Sequence, residues 1–131
     1  MTEPRPIIVV AAVIEHDGAF LVARRQAGTH LAGYWEFPGG KLNDGETPEQ
    51  GLQREIREEL NTDIREMRKI FETRHTYPER VVELHFYRCA LTGTPQPTLG
   101  QEIRWVRRDD LTSLEFPPAD AELIAKLTRP G

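Results

Sequence analysis

The chain has a single cysteine, Cys89, in 131 residues, so no internal disulfide is available to it. It has no apolar run near the ~18 residues of a membrane helix, so a membrane partner is not expected. Met1 to Pro6 is polar and contains prolines, without the apolar core of a secretory signal. These shortages together predict a cytoplasmic protein. Basic blocks are missing as well. Seventeen Lys and Arg stand against 21 Asp and Glu, which disfavours duplex nucleic acid as a partner. No internal repeat or low-complexity tract appears. The length suits one domain over residues 1–131.

What is present is unevenly spread. From Gly40 to Leu60 six acids (Asp44, Glu46, Glu49, Glu55, Glu58, Glu59) meet three bases (Lys41, Arg54, Arg57). That short stretch carries most of the chain's formal charge of −4. A local excess needs a local reason.

The apolar, β-branched runs Ile7 to Ile14 and Phe20 to Ala23 flank His16-Asp17-Gly18 and read as a hairpin. Tyr34 to Phe37 reads as a short strand stopped by Pro38-Gly39-Gly40. Thr47-Pro48-Glu49-Gln50 offers a capping box with proline at the first helical position. Leu52, Ile56 and Leu60 then recur every fourth residue, and Asn61 can adopt the left-handed conformation that ends a helix. Ile64 to Thr76 and Val81 to Leu91 read as strands. In the second, Val82, Leu84 and Phe86 alternate with Glu83, His85 and Tyr87 as in a half-buried strand. Ile103 to Val106 is a further short strand, Asp109 to Leu114 a helical turn, and Ala119 to Leu127 a closing helix. The expected fold is α/β (α+β), a mixed sheet with helices packed on it.

With Leu52 at zero on a helical wheel, Glu58, Glu55 and Glu59 fall on one arc from about 240° to 340° beside the buried stripe. Carboxylates so placed repel one another, and more strongly as they lose water. Arg54 and Arg57 project elsewhere and cannot neutralise the whole arc. A hard divalent cation, Mg²⁺ or Mn²⁺, would, because no histidine or cysteine accompanies these oxygens. A solvated acidic face with salt bridges is the alternative. Gly51 leaves room on the acidic side at the cost of about 1 kcal/mol of helix propensity. Gly39-Gly40 would let the main chain approach a ligand, although Gly-Gly can also be a plain turn. The four histidines, His16, His30, His75 and His85, show no ligand spacing. Cys89 reads as a buried small hydrophobe.

These residues resemble the Nudix hydrolase signature, G-x5-E-x7-R-E-U-x-E-E-x-G-U, met by Gly40, Glu46, Arg54, Glu55, Ile56, Glu58 and Glu59. Asn61 and Thr62 depart from its last two fixed positions. Ala23-Arg24-Arg25, Trp35 to Lys41, Phe116 to Asp120 and Ile124 to Leu127 are similar to the MutT branch, which cleans the nucleotide pool. The resemblance implies an α/β/α sandwich and hydrolysis of a nucleoside triphosphate, of the 8-oxo-dGTP type, to monophosphate and pyrophosphate. Glu55, Glu58, Glu59 and the Gly39 carbonyl would hold Mg²⁺, Glu55 would also activate water, and Arg54, paired with Glu46, would orient the carboxylates. Arg25 and Lys41 would meet phosphates. Glu102 is the nearest candidate for the family's late glutamate, a metal ligand or base, or else only a polar strand residue. Phe37 would stack on a purine or pack in the core. Asp120 would bind the base edge or cap a helix, and Arg80 in the Tyr77 to Arg80 junction could approach the ligand. Other readings are a CTP or pyrimidine nucleotide hydrolase, removal of pyrophosphate from RNA 5′ ends, and a non-catalytic nucleotide-binding module. A monomer or weak dimer is expected.

Overall fold

The computed structural model describes residues 5–29 and 31–129. Met1 to Pro4 and His30 therefore lie outside the described residues. Among the described residues seven strands, two α-helices and two short 3₁₀ turns follow one another. Strands β1 (Ile7–His16) and β2 (Ala19–Arg24) form the N-terminal hairpin, turning through Asp17 and Gly18, both with positive φ. β3 (Trp35–Glu36) lies on β2. β3 stops ahead of Pro38-Gly39-Gly40 as expected, but the two glycines are not merely a turn: a new strand starts at them. Gly39–Lys41 forms β4 and pairs antiparallel with β1, Ala11 opposite Gly39. A side chain at Gly39 would place its Cβ 1.9 Å from the Val10 carbonyl oxygen, so the glycine is what permits this pairing.

Helix α1 (Pro48–Leu60) begins and ends as its sequence dictates. Gln50 N–H donates to Thr47 Oγ1 at 3.1 Å, Thr47 N–H donates back to Gln50 Oε1 at 3.0 Å, and Asn61 closes the helix in the left-handed region. The loop between Gly93 and Gly100 has a role that the sequence did not disclose. Gln96 N–H donates to the Leu60 carbonyl, and Thr98 N–H and Gln101 Nε2 both donate to the Glu59 carbonyl, satisfying groups a helix C-terminus leaves open.

β5 (Ile64–Thr76) and β6 (Val81–Leu91) pair antiparallel, and β6 runs parallel to β1. β7 (Ile103–Arg107) lies on β2. The chain ends with 3₁₀ turns at Arg108–Ser113 and Pro118–Asp120 and helix α2 (Ala121–Thr128). The mixed sheet is thus ordered β3-β2-β1-β6-β5, with β4 on β1 and β7 on β2.

Both faces of β1 are covered. Val10, Ala12 and Ile14 pack with Leu52, Ile56 and Leu60 of α1, while Ala11 and Val13 pack with Phe86, Leu123 and Ile124 on the α2 side. Burial from both sides explains why the Ile7 to Ile14 run is continuous rather than alternating. The polar side of β6 is also less open than a half-buried strand predicts. Tyr87 is buried, and the Glu83 and His85 side chains are only 15% and 12% exposed. Cys89 is buried as expected, and burial pushes its thiol up to about 12. No helix among the described residues is long and apolar enough to cross a membrane.

Candidate active site

Regular i, i+3, i+4 spacing on α1 brings Glu55, Glu58 and Glu59 together, and Arg54 spans more of them than its projection suggested. Its guanidinium grips Glu46 with two bonds, Nε to Oε2 at 2.7 Å and Nη2 to Oε1 at 2.9 Å. Nη1 donates to Glu55 Oε1 at 3.0 Å and to Glu58 Oε2 at 3.2 Å, and Nη2 also meets the Lys41 carbonyl. The Glu46 bond holds the Glu46 carboxyl below the usual range and Arg54 above its own. Arg57 pairs with Asp63 instead, at the far end of the helix.

Glu59 is left out of that network. Among the described residues no salt bridge reaches it; its Oε2 accepts from Gly39 N–H at 3.1 Å. Burial above all, then Glu55 and Glu36, push its carboxyl up to about 8. Burial also raises Glu55 despite the Arg54 bond. Gly40 permits the close approach of β4 to the cluster. A Cβ there would stand 2.5 Å from the Glu55 carboxylate. The room read at Gly51 is already filled: a Cβ would fall 2.1 Å from Leu42 Cδ2, so that glycine serves helix-to-strand packing.

Of the three carboxylates Glu59 reaches a cavity of about 750 Å³, which is also lined by Arg25, Lys41, Tyr77, Arg80 and Asp120. Phe37 also faces it, yet is 4% exposed, stacked on Phe116 at 5.4 Å and edge-on to Phe86 at 6.2 Å. Its position is that of a core aromatic forming the cavity wall. Asp120 does not cap α2, since its side chain makes no capping bond. It is 5% exposed, and burial together with Glu36 pushes its carboxyl up to about 7.

Glu102 is not brought to the cluster. Its carboxylate is held by Arg104 at 3.0 Å and faces Arg24 at 3.6 Å, and both arginines lie over the Trp35 ring. β2 and β7 pair so that Ala23 meets Ile103, which sets Glu102 beside Arg24 on the sheet's outer side. The residue that sequence reasoning passed over is Glu36. It lies on the cavity, pairs with Arg25 at 2.8 Å and is raised by burial against that pairing. The available signal was a charged residue between two buried aromatics, Trp35 and Phe37.

A profile of the NUDIX domain matches residues 9–126. The chain belongs to the Nudix hydrolase family. This Nudix hydrolase is of the MutT type. The chain is 40% identical over 128 residues to an 8-oxo-dGTP diphosphatase of Haemophilus influenzae, covering 92% of this chain and 90% of the relative. It is 35% identical over 119 residues to the CTP pyrophosphohydrolase of Escherichia coli, covering 90% and 88%. The solution structure of the E. coli ORF135 protein superposes with a TM-score of 0.82 at 33% identity, over 97% of this chain and 95% of that one. Nudix hydrolases depend on a divalent metal. The carboxylate oxygens on α1, without nitrogen or sulfur donors among them, fit a hard ion of that kind.

Proposed function

We propose that this Nudix hydrolase converts nucleoside triphosphates to the monophosphate and pyrophosphate, with Mg²⁺ as its ion and Mn²⁺ as a substitute. Modified purine nucleotides of the 8-oxo-dGTP type are the preferred substrates. The reading rests on one observation: Glu59 lines a cavity of nucleotide size, and next to it on the same helix Arg54 orients Glu55 and Glu58 while Gly40 lets β4 approach Glu55.

Glu55, Glu58, Glu59 and the Gly39 carbonyl are the groups that would hold the ion. When bound, it supplies charge neutralisation for the polyphosphate and lowers the pKa of water. Arg54 keeps Glu55 and Glu58 in fixed positions through its grip on Glu46. Lys41 and Arg25 line the cavity as cations for the phosphates, and Arg80 lines it too. A water oxygen bonds to phosphorus as the α–β phosphoanhydride bond breaks, and Glu55 takes the water's proton.

The base end of the cavity has two chemistries. Protonated, Asp120 donates a hydrogen bond to a purine acceptor; ionised, it accepts from an exocyclic amine. A carboxyl near 7 can do either at neutral pH, which favours cytidine nucleotides as the second reading. Phe37 then supports the base pocket through Phe116. The protein is further proposed to be cytoplasmic, and a monomer or weak dimer.

The test is pyrophosphate release with Mg²⁺ from 8-oxo-dGTP, dGTP, CTP, 5-methyl-dCTP, dATP and a triphosphorylated RNA, ranked by kcat/KM. The expected order puts 8-oxo-dGTP first. A leading CTP supports the second reading, a leading RNA overturns both, and release from none of them leaves a binding module.

A further inference from the structure

β5 and β6 carry a second group of ligand atoms that the active site does not use. Their antiparallel register sets Glu72 opposite His85 and Arg74 opposite Glu83. These side chains share the sheet face of Tyr87, which packs under α1, whereas Leu84 and Phe86 face the nucleotide cavity. One ligand atom each from Glu72, Glu83 and His85 lies within 4.8 Å of the others.

The imidazole is held asymmetrically. His85 Nε2 is 3.2 Å from Glu83 Oε1, so this nitrogen carries the proton in a neutral ring. Nδ1 then keeps its lone pair. It is buried, it has no hydrogen-bond partner among the described residues, and it lies 3.5 Å from Glu72 Oε1. A lone pair aimed at a carboxylate oxygen is repulsive unless something positive stands between them, either a proton on Nδ1 or a metal ion. Lys69 meets the same Glu72 Oε1 from outside. An ion bonded at about 2.1 Å to a nitrogen and an oxygen at the tetrahedral angle separates the two by about 3.4 Å. The observed spacing suits such a bridge. A ligating histidine also commonly gives its other N–H to a carboxylate, the position Glu83 has here.

Both glutamates are kept anionic, Glu72 chiefly by its bond to Lys69 and Glu83 chiefly by its bond to Arg74. Arg74 uses Glu83 Oε2 and leaves Oε1 to the ring. Lys69 and Glu72 are 40% and 46% exposed, so an ion can reach Glu72 Oε1 from solvent and would displace the Lys69 ammonium from it.

We propose that Glu72 and His85 Nδ1, with Glu83 fixing the ring from behind, form a second metal site separate from the α1 carboxylates. The nitrogen donor selects a borderline ion of the Zn²⁺ class over Mg²⁺. Bound there, it ties β5 to β6 just before the Tyr77 to Arg80 turn, whose residues stand on the cavity rim.

Calorimetric titration of the full chain with ZnCl₂ tests this in a Glu58→Gln/Glu59→Gln background, which weakens uptake by the α1 cluster. One Zn²⁺ per chain is expected, with a higher Tm, and MgCl₂ should produce neither effect. His85→Gln should weaken the uptake at least about tenfold, and Glu83→Gln about tenfold through the lost ring anchor. Should His85→Gln fail to fold, the exposed Glu72→Gln gives the same reading. ¹⁵N shifts of His85 supply a readout independent of folding: an Nδ1 shift upon Zn²⁺ addition with Nε2 still protonated is expected. Unchanged uptake in both variants, no uptake at about 1 mM Zn²⁺, or an imidazolium at pH 7.5 that Zn²⁺ does not alter would overturn the assignment.

Discussion

The Gly39 main-chain N–H donates to Glu59 Oε2 at 3.1 Å, tying the start of β4 to a helix carboxylate twenty residues later. Through this bond the strand that borders the cavity and the helix that carries the acids share one geometry. Burial first, and then Glu55 and Glu36, set the chemistry of that carboxyl.

Replacing Glu58 or Glu59 with glutamine removes an oxygen anion and keeps the shape. Pyrophosphate release should fall by about 10² or more, while circular dichroism and Tm stay near those of the parent chain. Near-parental turnover in both variants would contradict their proposed role.

Without a divalent ion, stability should decline as pH rises. Glu59 titrates near 8 and Asp120 near 7 in the folded chain, and Glu36 and Glu55 are raised too. The unfolded carboxyls titrate near ~4. Between those values the folded chain binds more protons, so its advantage is fullest at about pH 4 and is lost as pH climbs through about 8. Mg²⁺ binds the ionised carboxylates and should flatten the upper part of the decline. Glu59→Gln should flatten it in EDTA. Thermal melts across this range, with EDTA or Mg²⁺, provide the check; a Tm in EDTA that rises from pH 6 to 8 would refute the account.

Gly40→Ala and Gly39→Ala should separate activity from stability. At Gly40 the added methyl meets the Glu55 carboxylate at 2.5 Å, a side chain that can shift, so kcat/KM should drop at least ~10-fold with a small change in Tm. At Gly39 it meets the Val10 carbonyl at 1.9 Å, where β1 and β4 must part. That variant should lose about 1–3 kcal/mol or more. Paired kinetics and urea melts distinguish the two outcomes.

Arg54→Lys keeps the charge and loses the fork. A lysine cannot make the two bonds to Glu46 while also meeting Glu55 and Glu58. Activity should fall about 10- to 100-fold, with an increased Mg²⁺ requirement as the carboxylates lose their common anchor. Retained activity at unchanged Mg²⁺ dependence would show that the orienting role lies elsewhere.

Local rules made much of this protein readable without coordinates. The Thr47 and Gln50 box, the four-residue apolar repeat and Asn61 specify α1 because capping and periodicity act within a few residues. Once α1 forms, the placement of Glu55, Glu58 and Glu59 follows from helix geometry alone. What lies between distant segments was decided only by the tertiary structure. Glu102 went to Arg24 and Arg104 because β2 and β7 pair in one register, and Glu36 entered the cavity because Trp35 and Phe37 are buried on either side of it. The space at Gly51 belongs to Leu42, and the histidine without ligand spacing in sequence meets Glu72 across a strand pair. Sheet pairing and burial bring together residues far apart in the chain, and no local pattern records which ones they will be.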